Sequence, residues 1–169
     1  MPQQFTSLIR LHEDSIIRAW ANAVYAEPRT KLAGMLSYEQ LVDHLPELLT
    51  ELSRILDQAA DNREIAETSK HLRAHPHVRF QQGVLIDEVA RELMIFREVF
   101  SDFLWQEGLF PGEQAIPQLR AALRRADYLI DELIAQSIVI YAASQRPAVE
   151  TRTSNWPPPR RRPKDLPGE

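Results

Sequence analysis

Apolar residues recur along this chain at intervals of three and four, the spacing that gives a helix one buried face. A first helix is predicted from Phe5 to Tyr25, with Leu8, Leu11 (or His12), Ile16, Ala19 and Ala23 turned inward. Ile17 and Trp20 widen that face, and Pro28 ends it before the loop EPRTKLAGML. Ser37 stands three residues before Gln40, a capping-box spacing in which each side chain satisfies an amide left free at a helix start. A second helix then runs to about Ala60 through Leu41, Leu45, Leu48, Leu52 and Leu56. Pro46 lacks a backbone donor, so a kink or short break is expected there.

Asp61 and Glu64 repeat the capping-box pattern and open a third helix towards Leu72. Pro76 disfavours helical geometry at His75, so the chain is expected to bend or restart, with a short segment from His77 to Gln82. Gly83 suits a left-handed cap. From Ile86 to about Trp105, Val89, Leu93, Phe96, Phe100 and Phe103 share a face, and GLFPGE makes a turn. The last helix, from Ile116 to Ala143, carries a near-heptad series: Ile116, Leu119, Leu123, Ala126, Ile130, Leu133, Ser137 and Ile140. A seam of that length points to a partner helix. Leu119, Leu123, Ile130, Leu133 and Ile140 are therefore expected to form a homodimer interface. There is no internal repeat and no strand-like alternation. The pattern predicts an all-α bundle of about five to six helices over residues 1–145.

Composition changes the picture at the carboxyl end. Six of the twelve prolines lie beyond residue 145, with a cluster of basic residues in PPPRRRPK. Such a segment has little to bury, so 146–169 reads as a disordered Pro/Arg-rich tail. Residues 145–169 carry a net charge of +3 and the rest of the chain −7. An acidic body argues against nucleic-acid binding, which depends on clustered Lys and Arg. The tail could dock on an acidic surface or on anionic lipid, could serve a protein-interaction scaffold as its binding segment, or could act as a plain solubilising linker. The chain has no cysteine, hence no disulfide and no thiolate chemistry. No apolar run is long enough to span a bilayer and the amino terminus lacks a secretory pattern, so a cytoplasmic protein is expected.

Candidate chemistry is sparse. His71 and His75 are spaced as a helical metal pair with His77 nearby, but Pro76 disturbs the second position, and no metal site is assigned. His75 or His77 could serve as an axial haem ligand in a haem- or tetrapyrrole-binding sensor. The plainer reading is a histidine bonded to a carboxylate or carbonyl at a helix junction. Glu92 sits among Val89, Leu93 and Phe96, where an unpaired acid is costly. Arg97 is five positions away on another face, which favours Arg79 as its partner. A structural polar network of His75, Arg79, Glu92 and Arg97 is expected, crossing the His77–Gln82 segment over the next helix. Asp87 and Glu88 fit the favourable end of a helix dipole, and Asp131 and Glu132 fall on the solvated side of the last helix. No phosphate loop, nucleophile elbow or H-E-x-x-H motif is present, so no catalytic residue is assigned.

The block His75-x3-Arg79-x3-Gly83, Leu85-Ile86-Asp87-Glu88-Val89, Glu92 and Phe96-Arg97 resembles the RsbRD-type amino-terminal sensor domain. That domain is found on RsbR-like stress regulators and on some bacterial histidine kinases, and Trp20 matches a common feature of the group. The resemblance implies a globin-like bundle without haem that dimerises through its last long helices. It also implies a non-enzymatic, signal-sensing or scaffold role and a signalling protein partner. Pro76 and Leu93 depart from the pattern, and no output module follows residue 144 in this sequence.

Overall fold

The computed structural model describes residues 3–145. The segment 146–169, expected above to form a tail, lies outside the described residues. Eight helices follow one another: α1 (Gln4–Ala26), α2 (Leu32–Met35), α3 (Tyr38–Val42), α4 (Leu45–Asp57), α5 (Asn62–His71), α6 (Ala74–Gln81), α7 (Ile86–Glu107) and α8 (Ala115–Gln145). Two are single turns, leaving six helices of eight residues or more in an all-α bundle. No described helix is long and apolar enough to cross a membrane.

Local chemistry sets most boundaries. Both capping boxes form: Ser37 with Gln40 opens α3, and Asp61 with Glu64 opens α5. Pro46 breaks the chain instead of kinking it. It occupies the first turn of α4, where its missing donor costs nothing, and the break turns the backbone at Asp43 and His44. Pro76 is accommodated in the same way within the first turn of α6, so that helix begins at Ala74 and includes His75. The expected start at His77 is corrected accordingly. Gly83, at φ 79°, makes the left-handed turn between α6 and α7.

One core joins these elements, with α1 packed on α4 and α7, and α8 packed on α4, α5, α6 and α7. Two faces differ from expectation. In α1 the buried residues are Phe5, Ile9, Ile16, Trp20, Ala21 and Val24, while Leu11 is 78% exposed. Two overlapping series on α1 satisfy the same spacing, and packing selects the one that holds Trp20. In α8, Leu119, Ile130 and Leu133 are buried within their own chain and Leu123 and Ile140 are half-buried. Three of the five residues expected at a homodimer interface are thus covered by neighbouring helices of this chain. Periodicity reports that a stripe must be covered. It does not report by which chain.

Candidate functional site

The break before α4, the start of α6 and the middle of α7 bring four side chains into contact. Glu92 is at the centre and fully buried. His75 Nε2 lies 2.7 Å from Glu92 Oε1. Arg79 grips the same carboxylate, donating Nε to Oε1 at 3.0 Å and Nη2 to Oε2 at 3.1 Å. Its remaining donors reach the carbonyls of Gln40 (3.1 Å) and Leu41 (2.9 Å) and the side chain of Gln82 (2.9 Å). A buried guanidinium with all of these partners is satisfied in its charge and its geometry. Trp20 donates its indole N–H to the Glu92 carbonyl at 3.1 Å, so α1 is keyed to the same turn of α7.

The fourth member is His44, which the spacing pattern did not single out. Its ring stacks on His75, with centroids 3.8 Å apart and planes 18° from parallel, and meets the edge of Trp20 at 5.5 Å. His44 Nδ1 is out of contact with solvent and has no hydrogen-bond partner among the described residues. Only the break imposed by Pro46 carries this histidine inward, so the proline was the signal that could have found it.

Electrostatics follow from this crowding. Burial drives the His44 pKa well below its ordinary 6.5, with the neighbouring His75 as the next cause. Burial alone would raise Glu92, but His75, by charge and hydrogen bond, and the Arg79 guanidinium hold it down at about 2. The carboxylate therefore stays ionised. His44 stays neutral and retains its lone pair.

The other expected residues lie elsewhere. Arg97 does not join the network. It pairs with Asp131 on α8 at the surface, because five positions along α7 turn it away from Glu92. Asp131 is exposed, as expected, and makes this pair from the solvated side of α8. Glu88 does more than face a helix dipole: it is buried and accepts the Lys31 amide at 2.7 Å, tying the start of α2 to α7. His77 is exposed, and His75 commits its Nε2 to Glu92.

A cleft of about 120 Å³ opens beside the cluster, lined by His44, His75, Arg79, Leu48, Leu93 and Leu133 among others. That is below the roughly 300 Å³ at which small-molecule pockets begin. The cleft suits a few water-sized groups.

The family model for the RsbT co-antagonist protein rsbRD N-terminal domain matches residues 14–155. No curated protein and no solved structure matches the chain.

Proposed function

The chain belongs to the RsbT co-antagonist protein rsbRD N-terminal domain family, and on that premise we propose that residues 1–145 form a signal-input domain without enzyme activity. It passes a change in helix packing to a signalling protein partner in the cytoplasm. The observation that carries this reading is the Glu92 node. One buried carboxylate fixes α6 through His75 and Arg79, while the same guanidinium fixes the end of α3 through two carbonyls. Buried ion pairs contribute little net stability, and their best-attested use is to select one packing over another. A domain with one such selector can switch between two arrangements when a ligand or partner favours one. Ser137 lines the same cleft but donates its hydroxyl to the Leu133 carbonyl of its own helix, which suits a positional role.

Homodimerisation belongs to this reading, with the outer face of α8 in place of the buried seam. Ile138 and Val139 are exposed there, at 52% and 66%. The test is to place the full chain ahead of the output module of an RsbR-like regulator, replacing that protein's own amino-terminal domain. Stress-dependent output from the chimera supports signal input. Output identical to that of the bare output module overturns it.

A further inference from the structure

We propose that His44, His75 and Glu92 form a binding site for one divalent transition-metal ion of the zinc class, opening onto the cleft between α4 and α6. One ligand atom from each residue lies within 4.8 Å of those of the other two. Bonds of about 2.0–2.2 Å to imidazole nitrogen and carboxylate oxygen place neighbouring donors roughly 3–3.5 Å apart, so the stacked rings of His44 and His75 must tilt apart to direct both lone pairs onto one ion beside Glu92. Two imidazoles with one carboxylate select zinc, cobalt or nickel over calcium or magnesium, which prefer all-oxygen shells. The site is independent of the chain's role in signalling.

Three further observations point to an ion. His44 Nδ1 is a buried nitrogen without a hydrogen-bond partner among the described residues, and an unpaired buried polar atom is normally costly. Arg79 holds Glu92 from outside the three-donor set, the position of the outer partners that orient metal-ligating carboxylates. The cleft that His44 and His75 line leaves room for water as a fourth ligand. Arg79 opposes the ion by charge, so the site is expected to be of moderate affinity and to weaken as pH falls and protons compete for the imidazoles.

The test uses the purified full-length chain titrated with Co²⁺ and, separately, Zn²⁺. Visible absorption reports cobalt coordination, and Co²⁺ quenching of Trp20, whose ring meets His44, read in a Trp105→Phe/Trp156→Phe background, reports proximity. One equivalent per chain is expected, with the cobalt band and the quenching both lost in His44→Gln and in His75→Gln. The double variant His71→Gln/His77→Gln, which changes only exposed side chains, is expected to bind like the parent. Circular dichroism and melting identify any variant that fails to fold. In that event, protection of His44 and His75 from diethyl pyrocarbonate by Zn²⁺ in the parent chain decides the matter. Absence of binding, binding that survives His44→Gln in a folded protein, or binding lost only in the His71/His77 variant overturns the site.

Discussion

His44 lies flat on His75, ring over ring at 3.8 Å, inside the corner formed by α3, α4 and α6. Two imidazoles this close do not both carry a proton without cost. The unfolded chain is free to protonate His44 below its ordinary 6.5, whereas the folded chain resists. More protons are then bound in the unfolded state, so stability rises with pH through this window and is lost as pH falls below it. Stability is expected to fall between pH 7 and pH 5, by up to about 1.4 kcal/mol per pH unit from this one group, and the melting temperature with it. His44→Gln should flatten that slope. A parent protein whose melting is indifferent to pH over this range would count against the buried, neutral histidine.

Glu92 acts lower on the scale. With its pKa at about 2 in the fold against an ordinary 4.5, its contribution is complete above 4.5 and disappears as pH falls through about 2. Glu92→Gln leaves Arg79 buried without its counter-charge and is expected to cost about 3–5 kcal/mol. Arg97→Ala breaks a pair that is open to water and should cost no more than about 1 kcal/mol. Thermal melts of the two variants at pH 7 separate these cases. Equal losses would show that the node is not special.

The two sides of α8 should respond differently to charge. Leu133→Asp places an acid inside the chain's own core and is expected to unfold the protein. Val139→Asp changes an exposed position, so the fold should persist while a homodimer built on that face dissociates. Light scattering with circular dichroism reads both outcomes. A dimer unaffected by Val139→Asp would move the interface away from α8's outer face.

Backbone geometry gives a paired expectation. Ala59 holds φ 49° just past α4, with the Ala60 amide on the Ile55 carbonyl and the Ala59 amide on that of Leu56. This is a cap that glycine fits better. Ala59→Gly should therefore stabilise by up to about 1 kcal/mol, and Gly83→Ala, forced to keep φ 79°, should destabilise by about 1–2 kcal/mol. A Cβ at Gly83 would meet no atom within 4 Å, so the second effect is purely conformational. Urea midpoints for both variants check the signs.

What could be read from the chain follows from how local each determinant is. The capping boxes at Ser37 and Asp61 depend on side chains three residues apart, and the sequence carries them whole. Glu92 among apolar neighbours demands a partner, and Arg79 is the cation one short segment away. His44 was not legible, because its burial depends on a corner that Pro46 creates and on a ring thirty-one positions downstream. The apolar stripe of α8 was visible, but its cover comes from helices distant in sequence. Leu11 misled because it shares a spacing with the residues that pack around Trp20.

The phenol of Tyr141 gives the end of α8 an angular reference. Its hydroxyl donates to the Val84 carbonyl at 2.7 Å, and its ring meets the edge of Phe80, the residue after Arg79. A helix that turned about its axis by even one residue step, roughly 100°, would lose both contacts together. The final turns of α8 are therefore phased to the loop that follows the arginine. Two directional contacts fix this phase, which greasy contacts alone would leave free.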